Sequence, residues 1–337
     1  MIALLVLALS GCAGRVAPRV VELPVLPSGP IELRVAYVVN PRLPRMEAPE
    51  LATLLASMAE AVRSHFALDV RFSPVEVVPI ATLFDTIPAQ RRAAAMQGVF
   101  DFKSGGGDRQ RLAQAFGRGF RQGGEPLEAM RAFAEPYSGP IAQAGFEVFG
   151  ARMADLQLDG IGRWARRKAP DGAPAIDRQP FNEFLMWVAL GYGEVPYELV
   201  LTNQLIASVE YGWPAVHAAV RGGYSNGLTT YNRRSRFGTM SVWSTYAFTA
   251  DDDAMVQLRA GERYAPGEAA FLAGLSGAHE LGHQLLHLTH PFGRSACLMH
   301  PVPLFAYRAW GERLSAPVCV LGSDPAMTPG AYRQFVY

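Results

Sequence analysis

Two histidines and a glutamate near the carboxyl end of the chain have the spacing of a metal site. They stand in the run H-E-L-G-H, which begins at His279, continues with Glu280 and ends at His283. Histidines at i and i+4 project from the same face of a helix, so both imidazoles can reach one ion. On a helix, this pattern indicates two zinc ligands with the glutamate as general base. Five of the seven histidines fall between residues 279 and 300, which strengthens the prediction of a metal centre.

A third ligand is needed, because a catalytic zinc ion usually takes three protein ligands and leaves one position open. His290 is the first choice, since it precedes a proline where a helix must have ended and the chain can turn back. His287 is a rival by spacing, but on a continuing helix it is rotated about 80° from His279. His300 and Glu312 stay open as alternatives, and Glu312 would complete a His-His-Glu site.

The hydrophobic periodicity predicts the elements that must position this cluster. A proline and a glutamate at 266–268 are typical of a helix start, and this helix would run into the histidines. Predicted strands cover 31–39, 69–72, 75–80 and 197–207, with one or two more over 226–248, and a helix covers 49–66. Residues 88–187 are mostly helical in pattern and are expected to form an insertion. The fold class is therefore α/β (α+β), with a mixed twisted sheet, an active-site helix and a largely helical middle.

The composition excludes one class of partner. The 337 residues include 31 basic and 30 acidic side chains, for a net charge of +1, and half of the residues are hydrophobic. Such a chain can bury a large core but has no overall field to hold nucleic acid. No nucleic-acid partner is expected.

The first residues have the pattern of an export signal. An apolar run over 2–9 is too short to span a bilayer and leads into L-S-G-C, ending at Cys12. This sequence resembles the bacterial lipobox, in which the cysteine becomes the lipidated first residue, although no Lys or Arg precedes the apolar run. It predicts a signal peptide over 1–11, a proline-containing tether over 12–30 and a domain over 31–337. The expected location is the bacterial cell envelope, anchored by lipid to the outer membrane and facing the periplasm or the surface.

Three cysteines fit that compartment. If Cys12 carries lipid, Cys297 and Cys319 remain, an even number in an oxidising environment. We expect a disulfide between them, which would hold the segment just after the histidine cluster. Two buried free thiols are the alternative.

With these residues in view, the segment resembles the metzincin clan of zinc peptidases. Their pattern is H-E-x-x-H-x-x-G-x-x-H followed by a Met-turn, and this chain has H-E-L-G-H-Q-L-L-H-L-T-H over 279–290, then C-L-M ending at Met299. The Cys-x-Met is closest to the archaemetzincins. The resemblance implies a zincin-like fold, one catalytic Zn²⁺ on His279, His283 and His290, and Met299 beneath the ion. It also implies an edge strand near 238–248 that binds an extended peptide, and Tyr307 as an oxyanion helper.

Two departures separate the chain from that pattern. Leu286 stands where the family has its helix-ending glycine, and the third histidine comes one residue late, so that Thr289 holds the expected ligand position. The cysteines of a structural zinc site are not fully reproduced, so one zinc ion is expected. The predicted function is a zinc-dependent endopeptidase that uses a metal-activated water with Glu280 as general base. The alternative is a non-catalytic zinc-binding envelope lipoprotein.

Overall fold

The computed structural model of the protein describes residues 19–21, 26–97, 108–123, 126–141, 145–176, 180–207, 209, 215–316 and 332–334. The strands are β1 (Arg19–Val21), β2 (Ile31–Leu33), β3 (Val35–Val39), β4 (Val70–Phe72), β5 (Glu76–Pro79), β6 (Leu199–Thr202), β7 (Gly227–Tyr231), β8 (Thr239–Ser244) and β9 (Tyr332–Gln334). The α-helices are α1 (Ala48–Phe66), α2 (Ile80–Asp85), α3 (Ala89–Gln97), α4 (Arg109–Gly123), α5 (Leu127–Ser138), α6 (Phe146–Ala165), α7 (Phe184–Ala189), α8 (Val216–Val220), α9 (Tyr246–Thr249), α10 (Asp253–Leu258), α11 (Pro266–Leu286) and α12 (Tyr307–Gly311). Short 3₁₀ turns lie at Pro180–Asn182 and Leu190–Tyr192.

A five-stranded sheet in the order β5-β3-β6-β8-β7 forms the centre of the fold. Its first four strands are parallel, and β7 runs antiparallel to β8 at one edge. Strand β3 is buried at all five positions, as expected of a parallel strand covered on both faces. Two small pairs, β2 with β4 and β1 with β9, lie outside this sheet. The predicted mixed α/β class is confirmed.

Alternate side chains of the strands enter two different cores. Tyr37 and Leu201 belong to the core that includes α1 and α11, whereas Val38 and Val200 face the core built with α2 and α7. This is the period of two that a strand imposes on its side chains. The sheet is thus covered on both faces, and α11 lies on one of them.

Helix α11 lies close to α1 because one of its residues has no side chain. A Cβ atom on Gly274 would lie 2.1 Å from the carbonyl oxygen of Leu54 in α1, so only glycine permits this approach of the two backbones. Helix α1 begins with a capping box between Glu47 and Glu50 and ends at Ala67 in a left-handed conformation. The helix at 49–66 and the helix beginning at 266 are both confirmed.

The strand predicted over 31–39 is divided between two sheets at Arg34. Residues 31–33 pair with β4 and residues 35–39 with β5 and β6, and between them the backbone and the guanidinium of Arg34 both donate to the fully buried carboxylate of Glu198. The segment 226–248 forms two strands, as one of the two alternatives predicted. The expectation of an edge strand near 238–248 is wrong: β8 is an inner strand with all six residues buried, and β7 forms the edge.

The segment 88–187, predicted to be mostly helical, is largely helical where it is described. It packs against the rest of the fold. Helix α6 meets the turn after α8 through two glycines: a Cβ atom on Gly160 would lie 2.4 Å from the Cα atom of Gly222. Within the described ranges, we find no helix with the length and apolar character needed to span a bilayer. The predicted signal peptide, Cys12 and most of the tether fall outside the described residues.

Candidate metal centre

The end of α11 determines where the third histidine lies. The helix continues through Leu286, and His287 takes the left-handed conformation at its C-cap, with a φ of 52°. That conformation usually belongs to glycine. His290 lies three positions after His287, which is the offset between the glycine and the third histidine in the metzincin pattern. The one-residue shift seen in the sequence is therefore absorbed by one more helical residue.

The three predicted ligands meet at one point. The Nε2 atoms of His279, His283 and His290 lie 3.0 Å from one another in all three pairs. Three nitrogens of a tetrahedral zinc site, each at 2.0–2.1 Å from the ion, would lie about 3.3 Å apart. Among the described residues, these three histidines form the one group that can hold a metal ion.

Backbone carbonyls fix the tautomers of two of these rings. Nδ1 of His279 is 2.9 Å from the carbonyl oxygen of Leu298, and Nδ1 of His283 is 2.6 Å from that of Leu288. A carbonyl oxygen only accepts, so both Nδ1 atoms carry the proton and both Nε2 atoms present a lone pair. Lone pairs facing each other at 3.0 Å repel unless a cation lies between them, so this arrangement fits a bound metal ion.

Burial keeps the rings neutral, which metal binding requires. It lowers the pKa of His283 to about 4 and holds the pKa values of His279 and His290 well below their ordinary range. The ring of His217 contacts that of His290 edge to face, with 4.8 Å between ring centroids. His217 was not predicted as a site residue, because no spacing in the sequence connects it to the cluster at 279–290.

Glu280 points into the same cavity as the three histidines. Its side chain is 7% exposed, and burial raises the pKa of this carboxyl to about 8, while the charge of Arg221 acts in the opposite direction. The carboxyl group lies against the first residue of β7: a Cβ atom on Gly227 would be 2.7 Å from Cδ of Glu280. Glycine at this position therefore leaves the space that Glu280 occupies.

Met299 is fully buried and lies directly beneath the histidine helix. A Cβ atom on Gly282, the residue before the second histidine ligand, would be 2.4 Å from the Met299 sulfur. The segment that carries Met299 also supplies the Leu298 carbonyl for His279. Cys297 begins this segment and is disulfide-bonded. Cys319 lies outside the described residues, so its pairing with Cys297 stays a prediction.

The other candidates lie apart from the three nitrogens. His287 caps the helix, and the ring of His300 packs on that of Phe133 at 5.7 Å, whereas Glu312 is exposed after α12. Tyr307 is fully buried, and its hydroxyl accepts a hydrogen bond from Nδ2 of Asn226. Burial raises the pKa of Tyr307 to about 12, so the hydroxyl keeps its proton. Its role as an oxyanion helper stays a prediction.

The cavity has a volume of about 260 Å³ and includes residues that the sequence did not indicate. These residues come from α6, α8, the start of β7, β8 and the segment after Met299. They include Gln157, His217, Arg221, Asn226, Trp243 and Val302. They come from four separate stretches of the sequence, at 157, 217–226, 243 and 302, which the tertiary fold brings together.

Comparison of the chain with protein-family models, with curated proteins and with solved structures finds no match. The geometry of the site and the sequence motif are therefore the two indications of function.

Proposed function

We propose that this protein is a zinc metallopeptidase of zincin-like fold, related to the metzincins, that hydrolyses peptide bonds. The observation that carries the proposal is the meeting of three Nε2 atoms at 3.0 Å beside the carboxyl group of Glu280 in one cavity. His279, His283 and His290 would hold the ion. When bound, zinc supplies a Lewis acid that polarises a carbonyl group and makes a water molecule more acidic.

Glu280 is suited to the proton transfers of amide hydrolysis. It would accept a proton from the water that attacks the carbonyl carbon and deliver it to the leaving nitrogen as the C–N bond breaks. Efficient proton transfer needs a pKa near the working pH, and burial moves the pKa of this carboxyl towards neutrality. The low polarity of the cavity also strengthens electrostatic interactions with the substrate.

The substrate would be a peptide in an extended conformation. The cavity is lined by residues 225–229, at the start of the edge strand, where a peptide can add to the sheet through backbone hydrogen bonds. The far end of β7 is covered: Oγ1 of Thr230 donates to the carbonyl oxygen of Val188 over 3.0 Å, and Gly191 lies against the carbonyl of Tyr231. Only a short length of peptide can therefore pair with this strand.

We also propose a location for the protein. Residues 1–11 would be removed on export, and a lipid on Cys12 would anchor the protein in the outer membrane of the cell envelope. The L-S-G-C run and the even number of remaining cysteines support this part. The second candidate is a non-catalytic zinc-binding lipoprotein. The buried carboxylate of Glu280 favours the peptidase, since a site that only binds metal gains nothing from it.

The test measures the zinc content of the protein and its ability to cleave the peptides of a library. We expect one zinc per chain, cleavage of library peptides by the zinc-loaded protein, and loss of cleavage after chelation that is restored by adding zinc. One zinc per chain without cleavage of any peptide would favour the non-catalytic lipoprotein. Absence of zinc would overturn both candidates.

A further inference from the structure

Arg221 places a buried positive charge at the cavity that holds Glu280. It is the residue after α8, is 5% exposed and lines the cavity. One terminal nitrogen donates to the carbonyl oxygen of Val302, and the guanidinium carbon lies 5.4 Å from the centre of the Phe305 ring. In the described part of the chain, Nε of Arg221 has no hydrogen-bond partner.

Arg221 differs from the other buried arginines of the described ranges in the partners of its guanidinium group. Arg167 pairs with the carboxylate of Asp252, and Arg259 pairs with Asp251 at 3.1 Å while donating to two backbone carbonyls. Of the three buried arginines in the described ranges, Arg221 is the one without a carboxylate partner. Burying a cation without a counter-charge costs free energy, and this cost is recovered when an anion binds.

Glu280 does not fill this role. No ion pair within 4.0 Å joins it to Arg221 among the described residues, although the two charges influence each other's pKa. In the proposed reaction, Glu280 also has to accept and release protons. The positive charge of Arg221 is thus left for a group that enters the cavity.

The surroundings of Arg221 favour an anionic group. Ala218, Val302 and Trp310 contribute apolar surface, which keeps water away and strengthens hydrogen bonds to a carboxylate. The planar guanidinium matches the geometry of a carboxylate.

We infer that Arg221 is a specificity-determining residue that binds a carboxylate group of the peptide substrate. The carboxylate would come from an acidic side chain near the scissile bond or from a free carboxyl terminus. The inference deepens the proposed peptidase function and rests on it, because it assigns the ligand class of the same cavity.

The test measures binding rather than turnover. The full-length, zinc-loaded Glu280→Ala protein is titrated with N-acetylated, C-amidated alanine pentapeptides that carry Glu or Gln at each position in turn. An alanine pentapeptide with a free carboxyl terminus is compared with its amide. We expect one carboxylate form to bind about tenfold or more tightly than its neutral partner, as for a charge-assisted hydrogen bond. The position of the effect identifies the source of the carboxylate.

Arg221→Met in the same background is expected to bring that affinity ratio close to one, and Arg221→Lys to preserve part of it. Arg167→Met, which alters a buried arginine outside the cavity lining, is the matched control and should leave the ratio unchanged. Equal affinity for all pairs, absence of binding, or a ratio that survives Arg221→Met would overturn the inference. If Arg221→Met fails to fold, the peptide pairs and Arg221→Lys still decide the question.

The two proposals fail in different ways. If the chain with Glu280 intact cleaves no peptide but the affinity ratio holds, the peptidase function is wrong and the carboxylate site stands. If peptides are cleaved without any preference for a carboxylate, the peptidase function stands and the role of Arg221 is wrong.

Discussion

The two sets of polar side chains that line the cavity are built in different ways. The first set lies on α11 and just after it and consists of His279, Glu280, His283 and His290. The Nδ1 atoms of His279 and His283 donate to backbone carbonyls. The Nε2 atoms of His279 and His283 thus present lone pairs at the point where Nε2 of His290 also lies. These residues are positioned before any ligand arrives, as a metal site requires.

The second set consists of His217 in α8, Arg221 just after it and Asn226 just before β7, and each of them has one polar atom without a partner within the described structure. Nδ1 of His217, Nε of Arg221 and Oδ1 of Asn226 are buried without a hydrogen-bond partner there. Buried polar groups without partners are rare in folded proteins, and each costs free energy. This contrast supports both proposals: the first set would hold an ion, and the second would receive a group of a substrate.

Removing the carboxylate of the first set should have the largest effect. Glu280→Ala is expected to lower kcat for a cleaved peptide by about 10²–10⁴-fold, because general acid–base catalysis contributes that much. The zinc content should remain one per chain, since Glu280 is not among the three ligand histidines. Kinetics on a fluorogenic peptide and metal analysis of the same sample check both statements. Undiminished turnover would remove Glu280 from the mechanism.

Next in size is the loss of a ligand. His290→Ala should weaken zinc binding by more than about 10²-fold, because even changes beyond the ligands cost about 10–100-fold. The matched control is His287→Gly, which keeps the left-handed helix end and leaves all three ligand nitrogens in place. Zinc affinity is measured by competition with a chromophoric chelator. Equal loss in both variants would show that the turn, and not the His290 ring, holds the ion.

Adding a methyl group at Gly227, the first residue of β7, should displace the carboxyl group of Glu280. In Gly227→Ala the new Cβ atom would lie 2.7 Å from Cδ of Glu280, so the carboxyl group must move. We expect kcat to fall by about 10–100-fold, as a misplacement of about 1 Å can do, with zinc retained. Gly267→Ala is the control, because a Cβ atom there meets nothing within 4 Å. Full activity in Gly227→Ala would contradict the described packing.

The smallest effect concerns a histidine that belongs to neither set. Burial lowers the pKa of His300 to about 4, against about 6.5 in the unfolded chain. Below pH 6.5 the unfolded state therefore binds more protons, and stability falls as the pH falls towards 4. His300 should account for a loss of about 2 kcal/mol between neutral pH and pH 5. Urea unfolding of His300→Gln should show a shallower pH dependence than the wild type, and identical slopes would refute the assignment.

Local patterns were enough to predict much of the fold and the first set. The spacing of His279 and His283 on a helix is a short-range property, and so is the proline directly after His290, which requires the helix to have ended there. The mixed α/β class followed from the alternation of strand and helix patterns. Each of these depends on residues within one or two turns of one another.

The second set and the sheet edge could not be predicted in this way. Arg221 and Glu280 are 59 positions apart (280 − 221), and the packing of α6 against the turn after α8 brings their side chains to one cavity. The identity of the edge strand depends on strand order, which the pattern of a single strand does not contain. Because β7 and β8 are both rich in β-branched and aromatic residues, composition could not distinguish them.

The cover over the far end of β7 also bears on self-association. An open edge strand offers unpaired backbone groups to any other chain, including a second copy of the same protein. Here Thr230 and Tyr231 are covered by the segment 184–192, Leu228 and Thr229 are buried as well, and Gly227 is the one partly exposed residue of the strand. That length suits a short peptide but is too small for a lasting sheet between two folded molecules. The proposed pairing with a peptide would therefore leave little edge for a second copy of the protein to join.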